Sequence, residues 1–313
     1  MRPAPAVEVV STPLPPFARA SMDRAAHRRG DPAWLDAAWA HPQSRALVVE
    51  GGRALVTDAD ELAWLPSGSA PPGERYFLGA PDPAQPVGYF AVAAPLPDPP
   101  PDGVRVVSLR EVGGQLGDTD AGLFAHAAAL EQWHARHPRC SMCGAQTEVA
   151  LAGHVRHCPA DGSEHHPRTD PAVIMLVTDD ADRCLLGRQP SWPPTRMSTL
   201  AGYVEAGETL ENAVIREVAE EVGIMVEHPR YVASQPWPFP SSLMLAFTAR
   251  ATATEVCVDG VEIEEAKWFS RDELRHAVAG GVVRLPMAAS VAFFLIDRWF
   301  GGGLADLVGG AKR

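Results

Sequence analysis

The sequence predicts an α/β protein behind a β-rich amino-terminal region, on three observations. Short apolar runs set between Gly, Pro and Asp fill the first part of the chain, and more than half of the 30 prolines fall before residue 102. An unbroken apolar run, Ala172–Thr178, has the composition of a strand buried on both faces. After it, segments with helical composition alternate with further strand-like runs, the order expected of helices packed on a mixed sheet.

The elements follow in order. Ala46–Val49 and Ala54–Val56 read as strands. Ala94–Gly103, with LPDPPPDG inside it, is a loop, because its prolines fix φ and remove backbone donors. Ala121–Arg136 is the first helix, with Leu123, Ala127, Leu130 and His134 on one face, and Pro138 ends it. Residues 138–168 hold three cysteines and form a separate module. Ala172–Thr178 pairs with Cys184–Arg188 as a hairpin. Glu208–Val222 has helical composition, with no Gly or Pro. Leu243–Thr248, Glu255–Val258 and Lys267–Phe269 read as strands, Arg271–Ala279 and Ser290–Trp299 as helices. The tail GGGLADLVGGAKR reads as mobile. No internal repeat is visible. The divisions are 1–137, 138–168, 169–300 and 301–313.

The 313 residues suffice for two domains and a small module, and 46% hydrophobic residues supply sizeable cores. With 27 basic against 39 acidic residues, the net charge of −12 argues against holding duplex DNA by phosphate neutralisation. A polyphosphate substrate would then need divalent cations. The start, MRPAPAVEVVSTPLPPFARA, lacks the continuous apolar core of a secretory signal, and Val291–Ile296 is too short to span a bilayer. Five cysteines, an odd number, with three of them close together, suit metal binding better than disulfides. The expectation is a cytoplasmic protein with no membrane partner.

Glu217, Glu220 and Glu221 stand at i, i+3 and i+4, which sets three carboxylates along one helix face. Taken alone, this is a solvated acidic face. Three features argue otherwise. Leu210, Ala213, Val214, Val218 and Val222 form an apolar stripe that burial would hold. Arg216 can fold back on Glu208 as a structural ion pair. Gly202, Gly207 and Gly223 mark sharp turns around the helix. The full pattern, G-x5-E-x7-R-E-V-x-E-E-x-G-I over 202–224, resembles the Nudix hydrolase box at every defining position.

A second motif lies downstream. In Ser234–Ser242, SQPWPFPSS, three alternating prolines stiffen the chain and hold Trp237 and Phe239 at a fixed separation. Such a segment is either a rigid connector or a preformed aromatic platform for a planar ring, with Gln235 and Ser242 as polar contacts. Placed after a Nudix box, it resembles the signature of the NADH pyrophosphatases. No G-x-G-x-x-G follows a strand, which favours hydrolysing a dinucleotide over using one for hydride transfer.

The resemblance implies a Nudix α/β/α sandwich with a zinc-ribbon-like insert and a β-rich amino-terminal domain. The implied activity is Mg²⁺- or Mn²⁺-dependent hydrolysis of NAD(H) to NMN(H) and AMP, with removal of NAD caps from RNA in some members. It further implies Glu217 and Glu221 as direct metal ligands and the Ala201 carbonyl beside them. Glu220 is a ligand or an outer-sphere partner. Which of these glutamates takes the proton from water stays open. Glu262 matches a carboxylate that completes the metal site, with Glu265 as the second candidate. Tyr203 occupies the position that stacks on nicotinamide, and Trp237 closes on that ring from the other subunit of a homodimer. Ala292 makes a backbone contact to substrate. Two positions depart from the family: His166 replaces a tyrosine before Pro-Arg, and Gly153 replaces an acidic residue.

Cys140-x2-Cys143 followed by Cys158 resembles the zinc ribbon of the same family. Asp161 stands in the fourth cysteine's place and can ligate Zn²⁺, as can His157, His165 or His166. Cys184 and Cys257 read as buried packing residues. The amino-terminal domain has no second acidic box and is expected to be a non-catalytic scaffold that contributes to dimerisation. A Nudix hydrolase for ADP-ribose or dinucleoside polyphosphates, and a non-catalytic NAD(H)-sensing module, are the alternatives.

Overall fold

A computed structural model describes residues 14–19 and 22–310. Most of the segment read as lacking a secretory core lies outside the described residues, as do the last three residues of the chain.

The amino-terminal lobe begins with α1 (Pro32–Ala40), a helix that the sequence reading missed. Its signal was the Asp31-Pro32 pair: the Asp31 carboxylate accepts from the Trp34 amide at 3.1 Å and Pro32 fills the first turn, where no donor is needed. Then come β1 (Arg45–Glu50), β2 (Arg53–Thr57), β3 (Leu65–Pro66), β4 (Glu74–Gly79), β5 (Tyr89–Ala93) and β6 (Val104–Ser108). The short α2 (Leu109–Val112) and the long α3 (Asp118–Arg136) close the lobe. The sheet runs β4-β5-β1-β2-β6, with β3 on β1 and β1 parallel to β5. Helix α3 covers one face through Phe124, Ala127 and Leu130, while Trp34 and Trp39 of α1 pack on the other.

The ribbon module carries β7 (Glu148–Ala150), β8 (Val155–His157) and β9 (Glu164–His165) in one small antiparallel sheet. Gly153 has φ +94°, and a Cβ there would lie 2.6 Å from the Tyr76 ring, so any larger residue would collide with the neighbouring lobe.

The third part holds β10 (Asp170–Thr178), β11 (Cys184–Arg188), β12 (Leu200–Tyr203), α4 (Leu210–Val222), β13 (Val226–Trp237), β14 (Ser242–Ala251) and β15 (Glu265–Phe269). Helices α5 (Arg271–Ala279), α6 (Val291–Phe300) and α7 (Leu304–Gly310) follow. The sheet runs β13-β14-β10-β11-β15, with β12 on β10 and β10 parallel to β14. One face buries Val214, Val218 and Val222 of α4, the other Leu274 of α5 and Leu295 of α6. This is the α/β/α sandwich expected. The hairpin of β10 and β11 forms in antiparallel register, as read.

Three readings change. The two six-stranded sheets have the same strand order, the same off-path pairing and the same parallel pair, so the fold contains an internal repeat that the sequence did not show. Glu255–Val258 is not a strand: the Cys257 amide donates to the Val222 carbonyl at 2.9 Å, which ties the segment to the end of α4 instead of a sheet edge. The tail expected to be mobile contains α7, because Leu304 is fully buried and its amide donates to Asp297 at 2.9 Å. Among the described residues no helix is long and apolar enough to cross a membrane.

Candidate active site

Helix α4 starts at Thr209, whose hydroxyl accepts from the Asn212 amide, and stops at Gly223, which takes φ +70°. Between these caps the apolar stripe docks on the sheet and carries Glu217 and Glu221 inward with it, 7% and 3% exposed. Burying two carboxylates one turn apart is costly without a counter-charge. Glu262 joins them: one carboxylate oxygen from each of the three residues lies within 4.8 Å of the others. Its loop is placed by Asp259, whose amide donates to the Glu221 carbonyl at 3.2 Å and whose carboxylate accepts from the amides of Glu262 and Ile263 at 3.0 and 2.9 Å. Sequence reasoning missed Asp259; an Asp-Gly turn just before the third carboxylate was the available signal.

Burial, and then the charges of Glu217, Glu262, Asp259 and Glu220, push Glu221 up to about 8. Its Oε2 is buried and, among the described residues, has no hydrogen-bond partner. Burial also raises Glu217, although Arg216 pulls it down. Three carboxylate oxygens converging on one point, one of them unpartnered, form a hard-oxygen donor set that fits a divalent cation. Gly202 completes the fit, since a Cβ there would lie 1.9 Å from the Glu217 carboxyl carbon. The Ala201 carbonyl belongs to the same strand, β12, and Ala201 lines the cavity described below.

Arg216 sets the geometry of the box. It forms a bidentate pair with Glu208 at 2.8 Å for both bonds, and its other contacts are Glu217 at 2.8 Å, Glu220 at 3.0 Å and the Tyr203 carbonyl at 2.9 Å. The guanidinium and the Glu205 amide bring Glu208 down to about 2. Glu220 is not brought into the cluster: its side chain is 62% exposed and paired with Arg216. Glu265 is likewise occupied, by Arg188 and Lys267.

A cavity of about 860 Å³ opens beside the carboxylates, lined by Glu221, Ala201, Trp237 and Ala292 among others. Thr199, whose buried hydroxyl has no partner among the described residues, also lines it and was missed in the sequence. Arg110 and Gln115 of the amino-terminal lobe form part of the wall. Trp237 stacks on Phe17 at 5.9 Å and meets Phe239 edge-on at 4.9 Å. Tyr203 does not line the cavity; it is 58% exposed, with its hydroxyl 3.4 Å from Ser242.

Gln235, expected as a polar contact to substrate, lies in the core in this structure. It is fully buried, donates to the Ala289 carbonyl at 2.7 Å and accepts from the Val291 amide at 2.6 Å. Both ends of its amide are spent on fixing the entry to α6, and with it Ala292.

In the ribbon, Cys140, Cys143, Cys158 and Asp161 each offer an atom within 4.8 Å of the others. Cys143 and Cys158 sulfurs are 3.6 Å apart, and Cys140 donates to Asp161 at 3.3 Å. Vertices of a tetrahedron with zinc–sulfur bonds of about 2.3 Å would be separated by about 3.8 Å, so the four side chains suit one tetrahedral ion. Against burial, Ser163 and the Cys143 and Met142 amides bring Cys140 down to about 6. His157, His165 and His166 are not in the cluster. Cys184 is buried as expected, but Cys257 is exposed, because its segment runs over the helix end instead of within a sheet.

Comparison with known proteins matches each part of this architecture. A NUDIX domain model matches residues 168–286, an NADH pyrophosphatase-like rudimentary NUDIX domain matches 43–133, and an NADH pyrophosphatase zinc ribbon domain matches 135–165. A Mycobacterium bovis (strain BCG / Pasteur 1173P2) protein described as NAD-capped RNA hydrolase NudC is 42% identical over 303 residues, covering 91% of this chain and 95% of the relative. The human NAD-capped RNA hydrolase NUDT12 is 42% identical over 197 residues, 59% of this chain and 43% of its own length. A NUDIX hydrolase structure from Nitrosomonas europaea aligns over 52% of this chain and 93% of its own, at 21% identity and a TM-score of 0.41.

Proposed function

The chain belongs to the NADH pyrophosphatase family of Nudix hydrolases, and we propose that it hydrolyses the diphosphate of NAD(H) to NMN(H) and AMP and removes NAD caps from RNA. The observation that carries this reading is the buried, unpartnered Glu221 carboxylate beside Glu217 and Glu262, at the edge of a cavity large enough for a dinucleotide.

Glu217, Glu221 and Glu262, with the Ala201 carbonyl, would hold Mg²⁺ or Mn²⁺. Such an ion supplies neutralisation of the diphosphate and a bound water of lowered pKa. The chain's own residues do the positioning. Arg216 fixes Glu217 and ties the box loop to the helix through Glu208. Glu220 serves from outside the cluster. Gln235 holds the Ala289–Val291 backbone so that Ala292 faces the substrate. Tyr203 is an open platform for the nicotinamide ring, with the Ser242 hydroxyl beside it. A homodimer, in which Trp237 of one copy closes on the ring held by the other, would cover that platform. Zn²⁺ held by Cys140, Cys143, Cys158 and Asp161 has a structural role, and the setting is the cytoplasm.

Turnover of NADH, NAD⁺, ADP-ribose and NAD-capped RNA, with AMP or 5′-monophosphorylated RNA as the readout, tests the reading. NADH and NAD-capped RNA should lead. A preference for ADP-ribose would overturn the dinucleotide assignment, and undiminished AMP release by Glu221→Gln would overturn the site.

A further inference from the structure

Diphosphate hydrolysis leaves one group of charges in the cavity without a task. Arg110, Arg196 and Arg284 all line it, and among the described residues none of the three side chains has a salt bridge or hydrogen bond. Their placement is built. Arg196 and Arg284 are set side by side by a backbone bridge, in which the Arg284 amide donates to Thr195 at 2.7 Å and its carbonyl accepts from Met197 at 3.1 Å. Arg196 stacks on Trp192 at 4.3 Å. Arg110, from α2 of the other lobe, stacks on Phe239 at 4.7 Å. Stacking fixes a guanidinium and leaves its donors free in the ring plane.

Among the described residues nothing acidic answers these cations. Of the two carboxylates on the cavity wall, Glu111 is committed to capping α2, accepting from the Ser108 amide and hydroxyl at 2.7 Å. The other, Glu221, clusters with Glu217 and Glu262, and among the described residues it pairs with none of the three arginines. Burial and repulsion from Arg110 and Arg284 lower the pKa of Arg196, the mark of cations gathered without a counter-ion.

We propose that Arg110, Arg196 and Arg284 bind a phosphate of the substrate other than the two of the scissile diphosphate: a phosphate ester on the ribose of its adenosine half. This rests on the NAD(H) reading above and names what that site selects. Two sources share the chemistry, the 2′-phosphate of NADP(H) and the 3′-phosphodiester through which an RNA continues from its NAD cap. Arg is suited to both, since its fork takes two phosphate oxygens at once.

The test uses the full chain and Arg196→Ala/Arg284→Ala. Binding of AMP, adenosine 2′,5′-bisphosphate and adenosine 3′,5′-bisphosphate is measured by calorimetry, which does not depend on turnover. The parent should bind at least one bisphosphate about tenfold more tightly than AMP, and the variant should lose that margin. Tightening by the 3′-phosphate identifies an RNA strand as the source, and tightening by the 2′-phosphate identifies NADP(H). In turnover, the kcat/KM ratio of the matching substrate to NADH should fall about tenfold in the variant and recover in part with Arg196→Lys/Arg284→Lys. Equal affinity of the parent for all three ligands, or a variant that loses NADH and the phosphorylated substrate in equal measure, overturns the proposal. Absence of AMP release from NADH by the parent would instead overturn the reading on which it rests.

Discussion

Glu221 shows what a single residue contributes and costs. The resemblance to the Nudix box implied its carboxylate as a metal ligand, but its burial was not legible, because i, i+4 periodicity places it equally well on a wet face. The structure resolves this through the stripe that docks α4. Its folded pKa of about 8 lies above the ordinary value of 4.5, so its contribution to stability is present below 4.5 and is lost as pH rises through about 8. Metal-free protein should therefore lose melting temperature across that window. Glu221→Gln should flatten the slope while lowering activity about 10²-fold. A slope unchanged in the variant would assign the effect to another group. Gly202→Ala drives a methyl into the Glu217 carboxylate, and we expect loss of activity with a destabilisation of about 1–3 kcal/mol by thermal melts. The core position of Gln235 was not legible, because a motif gives identity without direction. Since its amide serves two backbone groups in the core, Gln235→Leu should cost about 2 kcal/mol or more in denaturant unfolding.

At the scale of elements, legibility followed the strength of the local code. Helix α4 carries a cap residue, an apolar stripe and a terminal glycine, and the sequence reading placed it within two residues of its start. Strand β10 was clear because burial on both faces leaves no polar position to confuse the pattern. Glu255–Val258 misled because its valines do pack on the core, while its hydrogen bonds go to the end of α4 and not to a neighbouring strand. The ribbon gives the sharpest test of an element. Replacing a thiolate with a carboxylate at one vertex weakens the hold on a soft-leaning ion such as zinc. Asp161→Cys should keep its zinc at chelator concentrations that strip the parent, read by metal analysis and by melting temperature. Equal retention by both would remove Asp161 from the ligand set.

For the whole molecule, the repeated sheet was the feature furthest from the sequence's reach. A strand retains its place through alternating burial, which many sequences satisfy, so two lobes can share a topology with no shared motif. The difference between them is local: where α4 stands between β12 and β13, the first lobe has only the turn Ser67–Ser69 between β3 and β4. Without that helix there is no carboxylate face, which accounts for a single acidic box in the chain. Acid sensitivity is also a property of the assembled lobe. Burial, with Arg24 and Arg29 nearby, holds His126 and His154 well below 6.5, His154 at about 4. Both rings are neutral in the fold and take protons on unfolding. Their contribution is full above 6.5 and lost as pH falls towards 4. Calorimetry should show melting temperature falling over that range, less steeply in His154→Asn.

Trp237 leaning on Phe17, under Arg110, has a consequence for how such a chain can change over generations. The lobe that lacks the reactive helix still supplies part of the cavity wall, so the two halves do not accept substitutions independently. A change at Phe17 or Arg110 is felt at Trp237, across what looks like a domain boundary. Recombination that joins one relative's first half to another's second half at the ribbon would leave the carboxylates intact and mismatch the wall. Such a chimera would inherit the reaction from one parent and its discrimination between substrates from neither.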